Sequence, residues 1–246
     1  MTRLIFQYYI GDTIPRSAQI SIERFKQYAN LHEVDYHFSN GSKFADGNRY
    51  YEVLRTIYDT DFDKYDQILY VDTDVDPERM EENIFDIELK DVAMWPELPR
   101  KGMKRLPAHA ADQKLQRDFK DCCNHFNLQT IKPNKSDTTK YNNIHIVFNS
   151  GVILWNRPGI QKARKTFMDW KEWSNYAKKY STWYMNGDQP YLTSQVVNHL
   201  DFTFLDGKWN TFARKVWNED IVPNDTNFIH YTGRAKLKLE ERYRQK

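Results

Sequence analysis

The sequence predicts an α/β fold: a single Rossmann-like domain with a mainly parallel central sheet flanked by helices. Three observations predict it. Short apolar runs alternate with segments of helical period from the N-terminus onward. One run, Ile68-Leu69-Tyr70-Val71, is unbroken over four residues, as a central strand covered on both faces should be. That run ends in Asp72-Thr73-Asp74, two acids at the carboxyl end of a strand, where open α/β sheets bind their ligands.

The elements follow in order. Residues 4–10 read as a buried strand, and Gly11-Asp12-Thr13-Ile14-Pro15 as a turn with Pro15 suited to the first turn of a helix. Ile20, Phe25, Tyr28 and Ala29 recur at helical spacing over 17–29, and 34–38 is a second strand closed by Asn40-Gly41. This β-α-β opening is the start of a parallel sheet. A helix is expected over 50–58, then the strand ending at Asp72, then another strand at Val92-Ala93-Met94-Trp95. Strand pattern returns over 144–155, with Phe148-Asn149-Ser150-Gly151 inside it. Residues 160–176 are helical in period, and Gly187-Asp188-Gln189-Pro190 opens a helix running to about residue 199. Short strands at 202–205 and 228–231 close the pattern.

Residues 96–145 differ from their surroundings. They hold ten Lys and Arg against five Asp and Glu, with Pro96, Pro99, Pro107 and Pro133. Residues 112–126 are expected to be helical and 132–143 to be a mobile loop. The segment reads as an acceptor-site insertion or a lid within one domain spanning 1–246, since no boundary or repeat divides the chain.

Composition excludes several functions. A net charge of +2, from 36 Lys and Arg against 34 Asp and Glu, argues against a dedicated nucleic-acid binder. Cys122 and Cys123 are adjacent and are the only cysteines, so a disulfide scaffold is excluded and a reducing compartment is the simpler setting. The N-terminus enters an apolar strand directly, without the form of a signal peptide. No apolar run approaches the ~20 residues that span a bilayer. A soluble, cytoplasmic protein is expected.

The chemistry centres on Asp72 and Asp74. In extended backbone, positions i and i+2 point the same way, so both carboxylates can address one hard cation, Mn2+ or Mg2+, bridging a diphosphate. Asp-x-Asp is also common in turns, and the preceding buried strand is what favours the metal reading. Tyr8 or Tyr9, leaving the first strand, could stack on a nucleobase or simply fill the core.

Four segments in a fixed order carry a family resemblance: Tyr70-Val71-Asp72-Thr73-Asp74-Val75, Phe148-Asn149-Ser150-Gly151-Val152, Gly187-Asp188-Gln189, and His230-Tyr231-Thr232-Gly233-Arg234-Ala235-Lys236. The chain resembles retaining glycosyltransferases of the GT-A fold, above all family 8, the glycogenin and lipopolysaccharide galactosyltransferase group. Phe6-Gln7-Tyr8-Tyr9-Ile10-Gly11 and Ile14-Pro15 also look like the DXD-containing mannosyltransferases of family 32. The resemblance covers most of the chain outside roughly 96–141. It implies a sugar moved from a nucleotide-sugar, by the family's habit a UDP-sugar and by the family 32 likeness a GDP-sugar, to a glycan or glycoprotein acceptor with retention of configuration. It implies His230 as third metal ligand, Gly233 and Lys236 at the diphosphate, and Arg55 and Thr73 beside the donor. Asn149 and Asp188 would hold sugar hydroxyls, and Gln189 would lie beside the anomeric carbon, with Asp188 the alternative for a covalent role. The family usually continues Lys-Pro-Trp where this chain has Lys236-Leu237-Lys238, so the last donor contact is expected to differ.

Two other classes compete. A metal-dependent nucleotidyltransferase or phosphohydrolase also uses paired aspartates, but usually with a third carboxylate or a glycine-rich phosphate loop. A carbohydrate-binding module could use the seven Trp, yet has no need of Asp72, Asp74, His230 and Lys236 together.

Overall fold

The computed structural model describes residues 1–98, 112–133, 144–213 and 224–244. Its central sheet has six strands in the order β2-β1-β3-β6-β5-β7: β1 Arg3–Tyr9, β2 Asp35–Asn40, β3 Gln67–Val71, β5 Val92–Pro96, β6 Phe148–Asn156 and β7 Phe202–Phe204. The pairs β1–β2, β1–β3 and β5–β7 are parallel, and β6 alone runs against both its neighbours. The sheet is therefore mainly parallel, as expected. Hydrophobic period does not reveal strand direction, so the reversal of β6 was invisible in the sequence.

The sheet is covered on both faces, and alternate residues of one strand serve the two cores. Phe6, Tyr70, Met94 and Trp155 pack on one side with Phe119, Trp173 and Tyr191. Ile5, Leu69, Ala93 and Leu154 pack on the other with Phe25, Tyr28 and Phe228. Helix α1 (Arg16–Leu31) supplies the second core, burying Phe25, Tyr28 and Ala29. On the first lie α3 (Gln113–His125), α4 (Arg157–Thr166), α5 (Trp170–Tyr180) and α6 (Asp188–His199).

Two expected helices differ in form. Residues 50–58 make a 3-10 turn, Glu52–Leu54, running into the single turn α2, Arg55–Tyr58. The buried Glu52 carboxylate accepts from the backbone N–H groups of Lys43, Phe44 and Ala45 and from the Ser42 hydroxyl, tying this turn to the preceding loop. The helix expected over 160–176 is two helices. Phe167 leaves helical geometry at the end of α4, and the Asp169 carboxylate caps α5 by accepting from Lys171 N–H at 2.9 Å.

The helix expected over 112–126 is α3, capped by Asp112, whose carboxylate accepts from Lys114 N–H at 2.8 Å. Its Phe119, Cys122 and Cys123 are buried in the main core, so this part of the 96–145 segment is not loop. Both cysteines are free. The loop expected over 132–143 lies outside the described residues except for Lys132 and Pro133.

A second, three-stranded sheet was not foreseen. It has the order β4-β9-β8, formed by β4 Val75–Pro77, β8 Thr211–Phe212 and β9 Phe228–His230. Of its strands only β9 was expected, as the short strand at 228–231; β4 and β8 carry too few residues to show a period. The last helix, α7 (Lys236–Arg242), docks against it: the Tyr243 hydroxyl donates to the fully buried Asp76 at 3.0 Å, and Arg24 pairs with the same carboxylate at 3.1 Å. Among the described residues no helix is long and apolar enough to cross a membrane.

Candidate active site

Two pieces of local structure bring the chemistry together. Strand β3 stops at Val71, and the chain turns through Asp72-Thr73-Asp74 into β4. Asp72 N–H donates to Gly151 C=O at 2.9 Å, and Val75 N–H donates to Asp72 C=O at 3.2 Å, which fixes the turn. β4 then pairs antiparallel with β9, placing Val75 opposite His230, while Tyr231 N–H donates to Asp74 C=O at 2.8 Å. The small sheet therefore delivers His230 to the two acids across more than 150 residues of sequence.

His230 Nε2 lies 3.0 Å from Asp74 Oδ1 and 3.7 Å from Asp72 Oδ2. The three residues offer two carboxylate oxygens and one imidazole nitrogen, all within 4.8 Å of one another. That donor set fits a hard or borderline divalent cation such as Mn2+ or Mg2+. On its other side His230 Nδ1 meets Asn210 Oδ1 at 2.9 Å.

The acids open on a cavity of about 430 Å3 lined by Tyr8, Tyr9, Arg49, Thr73, Ser150, Asp188, Gln189 and Lys236 among others. Its volume is within the range of small-molecule sites. Lys236 Nζ pairs with Asp74 Oδ2 at 2.9 Å. A cation in the first turn of α7 opposes the helix dipole, and the neighbouring carboxylate accounts for its placement. Tyr8 stacks on Tyr70 with centroids 5.6 Å apart, and its hydroxyl donates to Arg49 C=O at 2.6 Å. Asp188 and Gln189 form the first turn of α6. The Gln189 amide donates to Glu97 Oε1 at 2.9 Å and to Phe148 C=O at 3.3 Å.

The electrostatics separate the three carboxylates. Burial and the Asp74 charge push Asp72 up to about 6, with His230 and the Tyr70 hydroxyl acting against them. Burial also acts to raise Asp74, but His230 and Lys236 prevail and hold it at about 2. Burial, with a smaller contribution from Asp72, pushes Asp188 up to about 7, against the hydroxyl of Ser150. Burial and then Asp72 raise the phenols of Tyr8 and Tyr70 well above their ordinary value.

Of the residues singled out in the sequence, Asp72, Thr73, Asp74, His230, Lys236, Asp188, Gln189, Tyr8 and Tyr9 come together here. Asn149 lies behind the wall, 3% exposed, between Glu97 and Asn210. Gly233 has a φ of +59°, the left-handed region that favours glycine, in the turn between His230 and Lys236. Arg55 is elsewhere. It is buried, its guanidinium pairs with Asp59 at 2.7 Å and lies over the Phe6 ring, and it borders a separate pocket with His37 and Lys43. The cavity's arginine is Arg49, six positions earlier, for which no motif gave a signal. Gly151 was visible inside Asn-Ser-Gly, but Glu97 and Asn210 belong to no motif and emerge only from the tertiary pairing.

Among curated proteins none matches the sequence. Solved structures share the fold at low identity. A glycosyltransferase involved in glycosylation of the major capsid of PBCV-1 is 13% identical with a TM-score of 0.51, each chain covered in full. The apo-form glycosyltransferase GlyE of Streptococcus pneumoniae TIGR4 is 13% identical with a TM-score of 0.54, over 98% of this chain and 60% of that one. An active-site mutant of LgtC is 12% identical with a TM-score of 0.50, over 98% and 96% of the two chains. The model of glycosyl transferase family 8 matches residues 5–237, nearly the whole sequence. The chain belongs to glycosyl transferase family 8 and is a glycosyltransferase of the GT-A fold.

Proposed function

We propose that the protein moves a sugar from a nucleotide-sugar, a UDP-sugar in our reading, to an acceptor hydroxyl with retention of configuration, and that it depends on Mn2+ or Mg2+. The observation that carries this is the convergence of His230 on Asp72 and Asp74, which line the same cavity as Lys236, Asp188 and Gln189. A divalent cation held by the first three would supply Lewis-acid neutralisation of the donor diphosphate. Lys236 adds a fixed positive charge where the leaving phosphate accumulates negative charge. Tyr8 and Tyr9 offer aromatic surface to the base, with Thr73, Arg49 and Gly233 beside the phosphates and ribose.

Asp188 hydrogen-bonds donor-sugar hydroxyls, and Asn149 supports them from behind the wall. Gln189 lies beside the anomeric carbon, where both N–H groups of its amide are already engaged by Glu97 and Phe148. The amide end left for the cavity is its carbonyl oxygen, which stabilises positive charge developing on the sugar. An amide cannot act as the general base that an inverting reaction requires, and this favours retention. In this reading residues 96–145 serve acceptor binding as an insertion of the single domain, and the acceptor is a glycan or glycoprotein. The free, buried Cys122 and Cys123 suit a reducing compartment such as the cytoplasm.

The test is thermal denaturation with UDP-sugars and GDP-sugars, each with and without Mn2+. A ligand at 100 times its Kd should add about 2.7 kcal/mol of stability. A rise with UDP-sugars only when Mn2+ is present supports the reading. Stabilisation by GDP-sugars alone would reassign the nucleotide, and no response to any of them would sink it.

A further inference from the structure

We infer that Glu97 is a positioning residue that orients two functional side chains at once, the metal ligand His230 and the transition-state residue Gln189. The inference rests on the proposed metal site and deepens it. It follows from the polarity of a hydrogen-bonded chain in which each amide can be oriented from its neighbours rather than assumed.

The chain has two fixed ends. Gly151 N–H can only donate, and it meets Asn149 Oδ1 at 2.9 Å, so that atom is an oxygen. The Asn149 amide nitrogen consequently faces Glu97 Oε1, at 2.7 Å, where a carboxylate accepts. Asn149 Oδ1 also receives Asn210 Nδ2 at 2.7 Å, which turns Asn210 Oδ1 toward His230 Nδ1 at 2.9 Å. An oxygen there obliges Nδ1 to carry a hydrogen, and this commits Nε2 to the acids. A histidine ligand is normally held in this way, by a hydrogen bond from its remote nitrogen.

Glu97 Oε1 receives a second donor, Gln189 Nε2, at 2.9 Å. Phe148 C=O accepts from the same nitrogen at 3.3 Å, so the Gln189 amide is oriented by two acceptors independently. One buried oxygen thus accepts from both amides, with Gly151 N–H and Phe148 C=O as their second anchors, and so ties the nitrogen of His230 that faces the cation to the end of Gln189 that faces the sugar. Strand β5 places it there: its register against β6 shifts between Met94 and Trp95, bringing Trp95 opposite Asn149, and Glu97 N–H donates to Val147 C=O at 3.1 Å just beyond. Glu97 is 6% exposed and does not line the cavity, which is the placement of a support rather than of a substrate contact.

The test compares Glu97→Gln, Glu97→Leu and Asn210→Leu, reading Mn2+ affinity by direct titration and kcat at saturating Mn2+. Glu97→Leu should weaken Mn2+ about 10–100-fold, the range for lost support behind a metal ligand, and also lower kcat with donor KM little changed. Glu97→Gln keeps an acceptor oxygen and should restore both to within a few fold. Asn210→Leu touches only the His230 branch, so it should weaken Mn2+ comparably and lower kcat less. The two Mn2+ losses should not add in the double variant, because both break one chain.

Wild-type Mn2+ affinity in a folded Glu97→Leu protein would overturn the inference alone. So would a Glu97→Gln enzyme as impaired as Glu97→Leu, which would make the charge rather than the acceptor decisive. If Glu97→Leu does not fold, Asn210→Leu decides, and unchanged Mn2+ affinity there overturns the inference. A wild-type protein that binds no Mn2+ overturns the proposed metal site and the inference together.

Discussion

Gly151 lies directly against His230. A Cβ built on the glycine would stand 2.3 Å from Cε1 and 2.8 Å from Nδ1 of the imidazole, closer than real Cβ contacts occur. The backbone of Gly151 is engaged as well, its C=O accepting from Asp72 N–H and its N–H donating to Asn149 Oδ1. The requirement for glycine is therefore steric contact with the imidazole of His230, inside a buried strand where neither partner can withdraw freely. Gly151→Ala should displace the ring and weaken Mn2+ binding by at least about 10-fold while leaving far-UV circular dichroism unchanged. Titration of Mn2+ into both proteins checks this, and equal affinities would show that the ring can move aside.

The proposed metal site should depend on pH with a definite sign. Asp72 is pushed up to about 6, so below that pH it is largely protonated and cannot share a cation. Asp74, held at about 2, remains charged throughout. Mn2+ affinity should therefore rise as pH increases through about 6 and then level off. Affinity that is flat between pH 5 and pH 8 would contradict the assignment of Asp72.

Asp188 carries a separate linkage to stability. Its folded value, about 7, is above that of an unfolded aspartate. A raised carboxyl contributes stability that is fully present below the unfolded value and is lost as pH rises through the folded one. Asp188→Asn removes this loss, so the Tm difference between variant and wild type, both without ligand, should move in favour of the variant from pH 5 to pH 8. A difference independent of pH would mean that Asp188 is ionised throughout. Asp74 has the opposite sign: its stabilisation is present above the unfolded value and lost only as pH falls toward about 2.

Gln189 is predicted to act mainly in the transition state. Gln189→Ala should lower kcat substantially and leave donor affinity within a few fold. The product should retain configuration, an α-linked donor giving an α-linked product. The anomeric proton signal of the product decides this, and a β-linked product from an α-linked donor would contradict the mechanism.

Much of the candidate site, as the cavity gathers it, was legible because its residues are local to strong patterns. Asp72 and Asp74 follow the run from Ile68 to Val71, and His230, Gly233, Lys236, Asp188 and Gln189 belong to ordered motifs. What escaped depends on how distant segments meet. Glu97 and Asn149 are adjacent only through the shifted register of β5 on β6, and Asn210 meets both Asn149 and His230 from a turn with no motif of its own. Arg55 illustrates the converse: a basic residue at a motif-like spacing before the acids is held by Asp59 away from the cavity, and Arg49 lines it instead. Sequence spacing places a residue along the chain but does not say which way a short turn such as α2 presents it. The reversal of β6 and the pairing of β9 with β4 and β8 were hidden for the related reason that neither the direction of a strand nor its choice of partner leaves a periodic trace.

The central claim is that Asp72, Asp74 and His230 share a divalent cation that holds the nucleotide diphosphate. Calorimetric titration of UDP into the wild-type protein and into Asp74→Ala, each with and without Mn2+, tests it most directly. The account predicts Mn2+-dependent UDP binding in the wild type, its loss in a folded Asp74→Ala protein, and the same weak binding in both when Mn2+ is absent. Undiminished Mn2+-dependent UDP affinity in Asp74→Ala would contradict it.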